Sequence, residues 1–434
     1  MSIPPVTGRL DEQVKARLID RFRNRKPAAP EAVSAPNAMA VGFEDHPAYK
    51  KILLSRQVAG QFGVANPFFH MHEAAGGATT RIEGRDCLNF ASYDYLSLNC
   101  DLRLAEAAAT AMRRYGISAS ASRLVAGERP IHRELEAALA IHYGAEDCLT
   151  FVSGHATNVS TIATLFGPRD LVLHDELAHN SIIEGARLSG ASRRGFAHNS
   201  VQDLERLLAL SRGQAERVLI VIEGHYSMDG DTPDLASFIA LKRKYGAFLM
   251  VDEAHALGVL GATGRGSYEA QDIAPQDVDI WMGTLSKTLC ACGGYIAGSA
   301  AMVEILRYGA PGFVYSVGLS PPLAAAALTA LEILYAEPWR VEKLRENGKF
   351  FLAQARAAGL NTGQAEGHAI IPVLIGSSLK AVKCAQRLLA EGINVQPIIP
   401  PAVEERAARL RFFLCADHGH EDLARVVTRL ASLV

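Results

Sequence analysis

Five short apolar runs, each broken off by a polar cluster, constrain this chain more than any other feature. They are Cys148-Leu-Thr-Phe-Val, Leu171-Val-Leu, Arg217-Val-Leu-Ile-Val-Ile, Ala247-Phe-Leu-Met-Val and Val278-Asp-Ile-Trp-Met. A strand that is apolar on both faces must be covered on both faces, as in a mostly parallel sheet sandwiched between helices. Helical patterns at 132–143, 201–211 and 234–245 lie between the runs. The alternation predicts an α/β fold on a doubly wound, mostly parallel sheet. A long Ala/Leu/Glu-rich helix is expected across 320–345, opening after Pro321-Pro322, since proline is tolerated in a first helical turn. Beyond it, 369–375 and 409–415 read as strands flanking a helix at 379–391, a smaller α+β domain.

The length of 434 residues accommodates such a sheet and a second domain. The expected division is 1–50 as an N-terminal extension, 51–325 as the large domain with 51–86 as its lead-in, and 326–434 as a small C-terminal domain. A formal net charge of −2 gives no global field to attract nucleic acid, and none is expected as a partner. No run of 18 apolar residues exists to make a transmembrane helix. Residues 1–26 carry no apolar secretory core. They do carry an apolar stripe (Leu10, Val14, Leu18, Phe22) among seven basic and three acidic residues, followed by a Pro/Ala linker at 26–36. That helix either packs on the body or docks an acidic partner. Seven cysteines, an odd number without framework spacing, fit reduced thiols and a cytoplasmic location.

In an open α/β sheet, ligands bind outside the carboxyl ends of the strands. Four run ends carry chemistry: Ser153-Gly154-His155, His174-Asp175 through His179, Asp252-Glu253-Ala254-His255, and Gly283-Thr284-Leu285-Ser286-Lys287. No G-x-G-x-x-G follows the first strand, and Gly261-Ala-Thr-Gly264-Arg-Gly266 lacks the lysine of a phosphate-binding P-loop. A lysine closing a strand is partly desolvated, which favours the neutral amine needed for a Schiff base. Asp252, ending an apolar strand, needs a cationic partner, and a protonated pyridine nitrogen is one. Hydroxyls of Thr284 and Ser286, with the amides of Gly154 and His155 at a helix start, suit a phosphate. Together these features describe a pyridoxal 5'-phosphate (PLP) site. No metal is expected: His174 and His179 lack a completing ligand set, and Cys290-Ala-Cys292 lacks a second pair. His132 and His174 read as structural, Asp229 and Asp231 as turn residues. Glu223, ending a strand, has both a structural and a cofactor-side reading.

Asp252-Glu-Ala-His255-Ala-Leu-Gly258, Gly264-Arg-Gly266, Gly283-Thr-Leu-Ser-Lys287 and Gly293-Gly294 resemble the α-oxoamine synthase family. So do Ser122-Arg-Leu through Gly127 and His132-Arg-Glu-Leu-Glu136, Tyr226-Ser-Met-Asp-Gly-Asp231, and Arg409-Leu-Arg411. This is the fold-type I PLP-dependent group containing serine palmitoyltransferase, 8-amino-7-oxononanoate synthase and 5-aminolevulinate synthase. The resemblance runs from about residue 50 to the end and is nearest to the serine palmitoyltransferase branch. It implies that Lys287 holds the cofactor and takes the α-proton, that Asp252 pairs with the ring nitrogen, and that His255 bonds the ring oxygen. His179 would stack on the ring. Gly154, His155, Ser227, Thr284 and Ser286 would bind cofactor, mainly its phosphate. Ser316 would reach the phosphate of a second subunit, making a homodimer, and Arg411 would hold the substrate carboxylate.

The implied reaction condenses serine, glycine or alanine with an acyl thioester, CoA- or carrier-protein-bound, with loss of CO₂. Against the family pattern, His155 replaces an aromatic residue, Ala402 replaces a threonine, and Tyr93 stands where several branches have Asn. Tyr93, expected to contact substrate, and Ala402 favour a long-chain or secondary-metabolite acyl donor. A fold-type I aminotransferase or lyase is the alternative, and a regulatory subunit without chemistry a third reading.

Overall fold

A computed structural model describes residues 42–434, so the basic stripe at 9–26 and the linker at 26–36 lie outside the described residues. Two compact units are present, one ending at Phe62 and one running Gly63–Val434. In the first, a helix spans Pro47–Gln61 after a short turn at Phe43–Asp45.

The second unit is built on a seven-stranded sheet. Its strands are β1 (Asp147–Phe151), β2 (Leu171–Asp175), β3 (Ser192–Phe196), β4 (Val218–Glu223), β5 (Phe248–Asp252), β6 (Ile280–Thr284) and β7 (Gly294–Gly298). Their spatial order is β1-β7-β6-β5-β4-β2-β3. All neighbours are parallel except β7, which runs antiparallel to both β6 and β1. The carboxyl ends of β1, β2, β4, β5 and β6 therefore share one edge.

Both faces of this sheet are covered, as the apolar runs require. In β4, Val218, Ile220 and Ile222 enter one core cluster while Leu219 and Val221 enter another. In β5, Leu249 and Val251 face the first cluster and Met250 the second. Each such side chain contributes about 2 kcal/mol of burial.

Helices α1 (Pro130–His142), α2 (Gly154–Leu165) and α3 (Asn180–Ser189) belong to the same unit. The expected helix at 320–345 is instead two, Pro321–Ala336 and Trp339–Ala357. Pro338 interrupts it, having no N–H to continue the ladder. A three-stranded antiparallel sheet of β8 (Ile370–Leu374), β9 (Gln396–Ile398) and β10 (Arg409–Phe413) follows, with β10 central. The expected boundary at 325/326 falls inside the Pro321–Ala336 helix. Of the seven-stranded sheet, two strands escaped the sequence reading, β3 and β7; so did β9 in the small sheet. Among the described residues no helix is long and apolar enough to cross a membrane.

Candidate active site

The shared strand edge opens into a cavity of about 390 Å³. Lys287 follows β6, Asp252 and His255 follow β5, Glu223 and Ser227 follow β4, and His179 follows β2; all line it. Gly154 and His155 open α2, Thr284 and Ser286 form the lysine turn, and Tyr93 and Arg411 complete the wall. Eleven predicted site residues thus converge on one space. Ser316 does not: it sits outside that cavity, on a loop between exposed Tyr315 and Val317. A larger cavity of about 460 Å³ opens at the amino ends of the strands. Of the charged residues lining it, Arg217 pairs with Asp170 and Asp279 with Lys242, while Glu146 accepts from the Ala300 N–H.

Each site residue is held by neighbours. The Asp252 carboxylate accepts from Ala254 N at 3.0 Å and from Asn158 Nδ2 at 2.9 Å. His255 Nδ1 lies 2.7 Å from the buried Tyr95 hydroxyl, so its other nitrogen is left for the cavity. His179 caps α3, its Nδ1 accepting from Ser181 N, while its own backbone N–H donates to Glu223 Oε1 at 2.8 Å. The His155 ring stands edge-on to that of His179, centroids 6.4 Å apart. Tyr95, Asn158 and Ser181 were missed in the sequence. Ser181, two residues past His179 at a helix start, was the one with a local signal, since hydroxyls cap helix amides.

Burial pushes the Lys287 ammonium down to about 8, although Asp252 and Glu223 pull it the other way. Its Nζ lies 5.6 Å from the Tyr93 ring centroid. Burial, then Asp252, raises Glu223 to about 8, and burial drives His255 well below the usual histidine range. A neutral amine is therefore accessible near neutral pH, as a lysine nucleophile requires.

Arg411 donates from Nη1 to Ser227 O at 3.1 Å and lies over Phe413, 4.5 Å from its centroid. Its Nε is buried without a partner, and among the described residues no carboxylate forms an ion pair with it. The neighbouring Arg409 does have one, Asp229 at 2.7 Å.

The 226–231 turn that carries Ser227 is locked from behind by His198. Its Nδ1 lies 2.9 Å from Asp175 and its Nε2 2.8 Å from Asp231. Burial opposes the imidazolium, but both carboxylates outweigh it and raise His198 to about 10. A pKa raised on folding stabilises fully below the unfolded value of about 6.5 and is lost as pH climbs through 10. Neutral imidazole donates only once, so one charged hydrogen bond of about 1.5–3 kcal/mol is lost. Denaturation midpoints should fall between pH 7 and 10 in the native chain, and much less in His198→Gln.

These donors fit PLP. Gly154 is packed so closely that a Cβ would sit 3.0 Å from Thr284 Oγ1, leaving its amide edge as the cradle surface. The Thr284 and Ser286 hydroxyls beside it now bond Gly293 O. A seven-stranded, mostly parallel sheet with lysine, aspartate and histidine at its carboxyl edge defines a fold-type I PLP-dependent transferase.

Comparison with known proteins agrees. Residues 85–430 match the family "Aminotransferase class I and II". The chain is 41% identical over 387 residues to 8-amino-7-oxononanoate synthase of Geobacter sulfurreducens, covering 88% of this chain and 98% of that one. Serine palmitoyltransferase of Sphingomonas wittichii superposes with a TM-score of 0.85 at 30% identity, over 89% and 97% of the two chains. 8-Amino-7-oxononanoate synthase of Francisella tularensis gives 0.69 at 25% identity, over 79% and 96%. The chain belongs to the class I and II aminotransferase family and, within it, to the α-oxoamine synthases. It is a PLP-dependent acyltransferase, of the class that condenses an amino acid with an acyl thioester and releases CO₂.

Proposed function

We propose that the chain joins a small amino acid (glycine, alanine or serine) to an acyl group of long-chain or secondary-metabolite type, delivered on CoA or on an acyl carrier protein. The observation carrying the amino-acid half is Arg411: a buried guanidinium in the cavity wall with Nε unpartnered, suited to an α-carboxylate. Bound in this cavity, PLP supplies an electron sink for charge developing at the substrate α-carbon. Lys287 Nζ is the amine that anchors the cofactor and moves the α-proton. Asp252 would partner the ring nitrogen, and His255, steadied by Tyr95, would hydrogen-bond the ring oxygen. His179 would stack on the ring. The amides of Gly154 and His155 and the hydroxyls of Ser227, Thr284 and Ser286 are the phosphate donors. Tyr93, beside both Lys287 and His255, is placed to touch the incoming substrate.

The acyl chain has two readings. Tyr93 and Ala402 favour a long-chain donor. The relatives named for 8-amino-7-oxononanoate favour a shorter acid, since that product's C7 ketone begins a seven-carbon acyl unit. Apolar Ile117, Leu124, Val125, Tyr315 and Val317 are exposed on two adjoining segments, tied by Ser122 Oγ to Val314 O at 2.7 Å. A second copy of the chain covers them in this reading, bringing Ser316 to the neighbour's phosphate; the holoenzyme should sediment at twice 46.6 kDa. The domain division is proposed likewise: of the cavity residues, Arg411 alone comes from 326–434.

A spectral titration of the holoenzyme with glycine, alanine and serine, followed by turnover with short, dicarboxylic and long acyl thioesters, tests the proposal. One amino acid should perturb the cofactor band at far lower concentration than the others. Arg411→Ala should weaken that response by about 10²-fold, a charged hydrogen-bond pair's worth. A keto acid formed without CO₂ or free thiol would point to transamination instead. Equal response in wild type and Arg411→Ala would remove the carboxylate role.

A further inference from the structure

Asn158 is buried one turn into α2, where α3 comes close enough that a Cβ on Gly185 would lie 3.0 Å from the Asn158 carbonyl. Its Nδ2 reaches two acceptors, Asp252 Oδ2 at 2.9 Å and Ser181 Oγ at 3.0 Å. Turning the amide over would set an oxygen against the carboxylate, so the NH₂ end must face Asp252. This orientation leaves Asn158 Oδ1 buried without a partner, a cost accepted for the sake of the two donated bonds.

The protons then follow in order. Both amide hydrogens are committed, so Ser181 Oγ accepts from Asn158 and sends its own hydrogen to His179 Nδ1, 2.7 Å away. The backbone N–H of Ser181 points at the same nitrogen from 3.3 Å. Two donors converge on His179 Nδ1, which therefore carries no proton, and the ring hydrogen sits on Nε2. An imidazolium would set its Nδ1 hydrogen against both.

We propose that Asn158 is a positioning residue that ties Asp252 to His179, and that this tie, through Ser181, fixes which nitrogen of His179 is protonated. It rests on the reading above, in which Asp252 and His179 grip the cofactor at its nitrogen and its face. The groups around His179 act with the tie. Burial lowers its affinity for a proton, Lys287 and His155 lower it further, and Asp252 alone raises it. Glu223 takes its backbone N–H.

The test is ¹⁵N-histidine NMR on the holoenzyme and on the cofactor-free chain, with His179 assigned by its loss in His179→Asn. Wild type should show protonation at Nε2 only, with the ring taking up its second proton below the ordinary histidine range. Ser181→Ala removes the relay hydroxyl, and Asn158→Asp removes the donor at unchanged shape. Each should admit the second tautomer and move the His179 titration upward by about one unit. The PLP dissociation constant should rise about tenfold in Asn158→Asp. Wild-type tautomer and titration in both variants would overturn the tie and leave Asn158 as packing. Failure of the wild-type chain to bind PLP would instead overturn the functional reading, while the cofactor-free spectra still decide the relay.

Discussion

Lys287→Ala should lose turnover by about 10⁴-fold or more, together with the visible band of the bound cofactor. Proton transfer by a positioned side chain alone is worth about 10²–10⁴-fold, and this lysine is assigned the anchoring amine as well. Loss of fold should not accompany loss of function. Holding an ammonium where burial lowers it to about 8 works against folding at neutral pH, so its removal relieves a strain. The variant without cofactor should therefore unfold at equal or higher denaturant than the wild-type chain without cofactor, the expected signature of a residue retained for chemistry. Turnover within tenfold of wild type would refute the assignment.

Arg123→Ala should be the most damaging substitution away from the cavity. The Arg123 and Glu136 side chains are each only 2% exposed and form a bidentate pair. Arg123 also donates to Glu128 Oε2 at 2.6 Å and Thr150 Oγ1 at 3.0 Å, and stacks 5.1 Å from the Phe313 ring centroid. Removing one partner of a buried pair costs about 3–5 kcal/mol, because the other charge stays buried. Thr150 still donates twice to Glu136, which places the expected loss near the lower figure. Replacing both residues, as Arg123→Met with Glu136→Leu, should recover part of the loss. Denaturation midpoints of the single and double variants check this. An equal or greater loss in the double variant would show that the pair is not the source.

The reading of strands from sequence worked where both faces are buried, since β4 and β5 are apolar at every interior position. It failed where that signal disappears. β3 lies at the sheet edge, and Ser192, Arg193, Arg194 and Gly195 all face water. β7 is bounded by glycines because its neighbours come so close: a Cβ at Gly294 would lie 2.5 Å from Thr157 Oγ1. Glycine weakens a strand pattern even as it permits the contact. The site followed the same division. Lys287, Asp252, His255 and His179 stand at run ends where polar residues are costly without a purpose. Tyr95 and Asn158 announce nothing locally, because their partners, His255 and Asp252, are remote in the chain and adjacent only after folding.

The antiparallel insertion of β7 has a consequence for how the molecule is made. β1 leads into the proposed phosphate cradle and β6 into the lysine turn, and within the sheet these strands are joined only through β7, with Phe151 opposite Gly294 and Gly294 opposite Thr284. A growing chain therefore cannot join these two strands through the sheet until the region around Gly298 has emerged. Such distant pairing makes for slow closure, since the loop entropy must be met before the contacts form. The central sheet is thus closed from within by the last of its strands in chain order.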